Sequence, residues 1–180
     1  SGAILINSAR GPVVDNEALL KRIKEKNDLL TVLDVWENEP ALNRELLNLV
    51  DIGTPHIAGY SYEGKMNGTT LIYQSFCKYI GAKPNWQPKM PVIADKIIKV
   101  DQFNNEELTL NNIFQKIYNI NEDSLRLKDS NKLEDAVIPK YFDDLRKNYP
   151  IRREFNNYKV NINNIVGLKE KLEKLRFSFT

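Results

Sequence analysis

The sequence predicts an α/β protein in two parts, a parallel sheet covered by helices followed by a small α+β domain. Three observations carry this. Two short apolar runs, "AILIN" at residues 3 to 7 and "LLTVLDV" at residues 29 to 35, read as strands buried on both faces. An amphipathic stretch lies between them, so strand, helix and strand follow within about thirty residues, as in a parallel βαβ unit. Further on, "AKPNWQPKMP" at residues 82 to 91 places three prolines in ten residues and reads as a linker; beyond it asparagine becomes frequent.

The elements follow in order. Asp15 is placed to cap the first helix, Glu17 sits in its first turn where the dipole favours an acid, and Ala18, Leu19, Leu20 and Ile23 form its apolar stripe. A short helix at 41 to 48 and a brief strand at 49 to 53 continue the pattern. From Ser61 a long helix runs to Ile80, with Gly81 as its stop. In the second part Leu110, Ile113, Phe114, Ile117 and Tyr118 share one helical face, and Pro139 opens a helix to Asn148 with Phe142 and Leu145 inward. "YKVNI" reads as a strand and residues 164 to 175 as a final helix. The resulting division is 1–81, a linker at 82–95, and 96–180, with no internal repeat.

Composition removes several functions. The 180 residues are 42% hydrophobic, enough to build a core. Net charge is only +2, with basic and acidic residues intermixed, which argues against a nucleic-acid surface. No apolar run is long enough to span a membrane and no signal peptide opens the chain. The single cysteine, Cys77, excludes an intrachain disulfide and fits a reducing compartment, so a cytoplasmic protein is expected. A strand begins almost at once with no starting Met, so the chain reads as a piece of a longer protein.

In a parallel sheet, ligands gather beyond the carboxyl ends of the strands. Asn7 to Arg10, Asp34 to Glu39 and Thr54 to Tyr60 are segments of that kind. The middle one, within "LDVWENEPAL", carries three carboxylates that a plain turn does not need. His56 is the only histidine and so the leading general base for neutral pH. Glu39 or Glu37 could orient its ring, and Arg10 could grip a substrate carboxylate through two parallel hydrogen bonds. Taken singly, each also fits a structural part: a loop histidine, a surface ion pair, a solvated acidic loop.

Taken together, "LINSARGPVVDNEAL", "DVWENEP" and "TPHIAGYS" resemble the last three signatures of the D-isomer-specific 2-hydroxyacid dehydrogenases. The resemblance implies that the first part is the C-terminal portion of a Rossmann-type NAD-binding domain. It makes Arg10, Glu39 and His56 catalytic, with Asp34 bonding the nicotinamide carboxamide, the backbone at Ser8 and Gly59 lying against NAD, and Glu37 merely solvated. "TPHIAGYSYEGKMNGTT", the long helix, the linker and the last domain are together similar to members that oxidise a small phosphorylated 2-hydroxy acid and form homodimers through that domain. Tyr60 would then contact substrate. Arg152 and Arg153 of "YPIRREF", in a loop after Pro150, could hold its phosphate by reaching across the dimer; the plainer reading is a surface pair bonded to Asp143, Asp144 or Glu154. No metal is expected. The family's Gly-rich G-x-G-x-x-G loop and substrate domain do not occur in this sequence, so the chain alone is expected to be inactive. Rival readings are another dehydrogenase of the family, of phosphoglycerate type, a dinucleotide-sensing relative without catalysis, or a dimerisation piece.

Overall fold

Three parallel strands organise the first unit of the computed structural model, which describes residues 2–26, 28–100, 103, 105–162 and 166–180. The strands are β1 (Ala3–Asn7), β2 (Leu29–Leu33), β3 (Ile52–Gly53), β4 (Ile97–Lys99), β5 (Lys159–Asn161) and β6 (Ser178–Phe179). The helices are α1 (Asn16–Lys26), α2 (Arg44–Leu49), α3 (Tyr62–Tyr79), α4 (Glu106–Ile117), α5 (Ile120–Lys128), α6 (Ile138–Lys147) and α7 (Val166–Lys174). β1, β2 and β3 pair in that order, all parallel, with α1 as the crossover between the first two. The α/β class with a parallel sheet is therefore borne out.

Side-chain alternation decides what this sheet buries. The register sets Leu5 opposite Thr31 and Ile6 opposite Val32. One face thus carries Leu5, Leu29 and Leu33, which pack with Leu19, Leu20 and Ile23 of α1 and Leu46 and Leu47 of α2. The other carries Ile4, Ile6 and Leu30, which are 63%, 64% and 52% exposed. The strands were expected to be covered on both faces; among the described residues only one face is.

The first core is finished by a later part of the chain. Ser1–Gly59 and Asn119–Pro150 make one unit, and Tyr60–Tyr118 with Ile151–Thr180 make the other. Packing thus groups the residues differently from the chain-order division at 81 and 95. The reason lies in α5 and α6, whose Leu127 and Phe142 enter the first core. α5 also covers the open edge of β3: Gly53 N–H donates to Ser124 Oγ (3.1 Å), and Lys128 Nζ donates to Val50 O (2.7 Å). An edge strand left bare would expose its unpaired backbone groups.

The second unit has its own parallel sheet, in the order β4-β5-β6. Ile98, Val160, Ile113 of α4, and Leu168 and Leu172 of α7 form its core. Phe155 stacks between Phe114 and Phe177, with ring centroids 5.4 and 5.0 Å away. Ser61 caps α3, its side chain accepting from Gly64 N–H (3.0 Å), and Gly81 follows the helix with φ +70°, a value glycine reaches without penalty. The final helix is described from Val166; residues 164 and 165, where it was expected to begin, lie outside the described residues.

Candidate active site

Beyond the carboxyl ends of β1, β2 and β3 the three expected segments lie side by side. The ladder continues one residue past each strand: Asp34 N–H donates to Asn7 O and Thr54 N–H to Leu33 O, both at 2.9 Å. Asn7, buried, shapes the first segment. Its Nδ2 donates to Arg10 O (3.0 Å) and its Oδ1 accepts from Ala9 N–H (3.2 Å). This turn leaves Ser8 and Arg10 exposed, with Arg10 Nη1 donating to Ala9 O (2.7 Å).

The structure brings His56 and Glu39 together. His56 Nδ1 lies 2.5 Å from Glu39 Oε1, and the two side chains are 29% and 24% exposed. The other glutamate oxygen, Oε2, accepts from Trp36 N–H (3.0 Å), so both carboxylate oxygens are oriented. The peptide between Glu39 and Pro40 is cis. A histidine whose Nδ1–H points at a carboxylate keeps Nε2 as its basic nitrogen, the arrangement a general base needs.

His56 also has φ 56°, the left-handed region that a side chain with a Cβ rarely adopts. Such strain persists only where the surroundings over-determine it. Here Asp34 does so. Its carbonyl accepts from His56 N–H (2.7 Å), its Oδ1 from Thr54 Oγ1 (2.6 Å) and Ile57 N–H (2.8 Å), and its Oδ2 from Ala58 N–H (2.9 Å). Sequence reading assigned Asp34 to the cofactor alone; in the structure the residue builds the histidine loop. Its Oδ2 accepts one hydrogen bond and can take a second. Gly59, with nothing within 4 Å of where a Cβ would stand, leaves open space beside that loop.

Glu37 is not merely solvated. Its Oε2 accepts from Asn16 N–H (3.0 Å) at the start of α1, while its own N–H donates to Asn16 Oδ1 (3.2 Å). The carboxylate serves a helix N-terminus, which the dipole favours, and leaves the histidine to Glu39. The three acids of this middle segment thus have three separate parts: Asp34 in the histidine loop, Glu37 at the start of α1, and Glu39 against His56.

Tyr60, Arg152 and Arg153 belong to the second unit. Lys65 Nζ lies 3.6 Å from the Tyr60 ring centroid, and the Arg152 guanidinium lies 4.5 Å from that of Tyr118. Arg153 is buried and committed elsewhere. Its Nε donates to Glu63 Oε1 (2.5 Å), Nη1 to Pro91 O, and Nη2 to Asn157 Oδ1 (3.0 Å). The two neighbouring arginines are therefore not an equivalent phosphate fork. Burial pushes the Glu63 carboxyl up, but the Arg153 hydrogen bond, backbone N–H groups including that of Glu154, and the Arg153 charge together hold it below its ordinary value.

Sequence reading missed Asn7, Thr54, Gly11 and Trp36. A buried asparagine and threonine at strand ends are weak signals alone, and a single tryptophan inside an acidic segment carries no periodic signal of its own.

Comparison with known proteins bears out the resemblance read from the motifs. Residues 1–58 match the family model described as D-isomer specific 2-hydroxyacid dehydrogenase, NAD binding domain. Residues 90–175 match a domain of unknown function, DUF3410. The chain is 45% identical over 166 residues to a protein of Cellvibrio japonicus (strain Ueda107) named erythronate-4-phosphate dehydrogenase, covering 89% of this chain and 44% of that protein. Proteins of the same name from Shigella dysenteriae serotype 1 and Escherichia coli O1:K1 / APEC are 44% and 43% identical, each over 88% of this chain and 41% of its own length. The chain spans less than half the length of the curated relatives it matches.

Proposed function

We propose that the full-length protein oxidises the 2-hydroxyl of 4-phospho-D-erythronate to the 2-oxo acid, in the biosynthesis of pyridoxal 5'-phosphate. NAD, bound, supplies the hydride acceptor. The observation that carries this is the His56–Glu39 pair at 2.5 Å beyond the carboxyl ends of a parallel sheet, in a chain 43–45% identical to proteins of that name.

In this reading His56 Nε2 takes the hydroxyl proton as the C–H bond breaks. Glu39 fixes the ring through Nδ1 and stabilises the imidazolium that forms. Arg10 holds the substrate carboxylate through parallel hydrogen bonds and polarises the developing carbonyl. Ser8, Asp34 and Gly59 would hold the nicotinamide end of the cofactor, and Tyr60 would meet the substrate. For the phosphate we retain Arg152, since Arg153 is buried and each of its three guanidinium nitrogens is bonded, to Glu63, Pro91 and Asn157. We place the protein in the cytoplasm as a homodimer, joined through residues 96–180.

The test is NADH formation by the full-length protein with 4-phosphoerythronate and with 3-phosphoglycerate. The expected result is a higher kcat/KM for the first. A preference for 3-phosphoglycerate would move the protein to another branch of the family. NAD binding without turnover of either would favour a dinucleotide sensor.

A further inference from the structure

Trp36 touches the site at three places, though nothing in its chemistry is catalytic. It is fully buried, at 1% exposure. Its backbone N–H donates to Glu39 Oε2 (3.0 Å), turning the carboxylate that faces His56. Its indole Nε1–H donates to Thr54 O (3.0 Å), two residues before His56. Its carbonyl oxygen lies against Gly11, so close that a Cβ there would stand 2.0 Å away. Gly11 directly follows Arg10. One residue therefore touches the arginine, glutamate and histidine segments.

The glycines confirm how tightly this is drawn. A Cβ on Gly53 would stand 3.0 Å from the Trp36 ring, so β3 also ends in a residue cut to fit the indole. A buried ring with its polar atom bonded is rigid, and rigid support is what sets a catalytic pair to the fraction of an ångström that proton transfer needs.

We infer that Trp36 is a positioning residue for the proposed site: its indole N–H holds the Thr54 carbonyl, and thereby the His56 loop, in register with Glu39. The inference rests on the dyad reading above. Replacing Trp36 by Phe keeps most of the ring and removes the N–H. Replacing it by benzothienylalanine keeps the full bicyclic shape and exchanges the N–H for sulfur, which covers the case in which the Phe variant fails to fold.

In the full-length protein, both replacements should lower kcat by about tenfold, the weight of one lost hydrogen bond, with KM for acid and for NAD within twofold. The same replacements made in a His56→Ala background should lower kcat no further, because effects of residues that act as a unit do not add. An unchanged kcat with the sulfur analogue, or an equal loss with and without His56, would overturn the inference and leave Trp36 a core residue. A His56→Ala protein with undiminished kcat would instead overturn the dyad, a failure distinguishable because it appears before Trp36 is altered.

Discussion

Two acid–base pairs in this protein have the same separation and opposite characters. His56 and Glu39 meet at 2.5 Å with about a quarter of each side chain exposed. Arg153 and Glu63 also meet at 2.5 Å, but with side chains 8% and 11% exposed. In the first, the partner of the carboxylate is a histidine, set on a backbone that its neighbours force into the left-handed region. In the second, the basic partner is an arginine whose Nε, Nη1 and Nη2 each donate to a group within the second unit. Glu63 Oε1 also takes Asn157 Nδ2 (2.8 Å), and Oε2 takes Glu154 N–H (3.0 Å). That pair ties the first turn of α3 to the proline-rich segment and the loop before β5. The contrast teaches that separation alone does not distinguish the pair proposed here as reactive from an architectural one; exposure to solvent and the chemical type of the basic partner do.

The comparison can be broken by substitution. His56→Ala in the full-length protein should lower kcat by about two to four orders of magnitude, the weight of a general base, with the fold kept; steady-state kinetics and circular dichroism read the two halves of that statement. Glu39→Gln should cost less, because a partner that orients the ring remains. Arg153→Ala should do the reverse. Stranding a buried carboxylate costs about 3–5 kcal/mol, visible in urea denaturation of the second unit. Changing Glu63 and Arg153 together to apolar residues of similar size should recover much of that loss.

Acid sharpens the contrast. The Glu63 carboxyl is held below its ordinary value of 4.5, so its folded form resists protonation better than its unfolded form. The stability this contributes is present above pH 4.5 and is lost as the pH falls through the lower, folded value. The stability difference between wild type and Glu63→Gln should therefore shrink below pH 4.5, and a difference independent of pH from 7 to 3 would refute the assignment. The smallest effect belongs to Glu37. Glu37→Ala removes one hydrogen bond to the Asn16 N–H and should cost about 1 kcal/mol of stability, with kcat near wild type. If it hurt kcat more than Glu39→Gln, the roles of the two glutamates would have to be exchanged.

Legibility in the sequence followed length and period. β1, α1, β2 and α3 stand out because five-residue apolar runs and helical stripes carry their own signal. β4 and β6, three and two residues long, exist because β5 pairs with both. α5 was missed too: its stripe is short, and what makes it a helix in place is Leu127 entering a core built by residues some eighty positions earlier.

The sequence by itself determined the parallel βαβ unit and the kinds of residue gathered at its strand ends: an arginine, an acidic segment and one histidine, in an order that resembles a known family. It did so because alternation, helical period and chemical type are local properties. Only the tertiary structure decided that Glu37 bonds the start of α1, that Asp34 builds the histidine loop, and that Arg153 is bonded to Glu63. Those outcomes depend on which donors converge on a carboxylate, and the partners come from 21, 23 and 90 residues away. A buried polar group must be satisfied wherever its partner lies in the chain, and only the folded backbone says where that is.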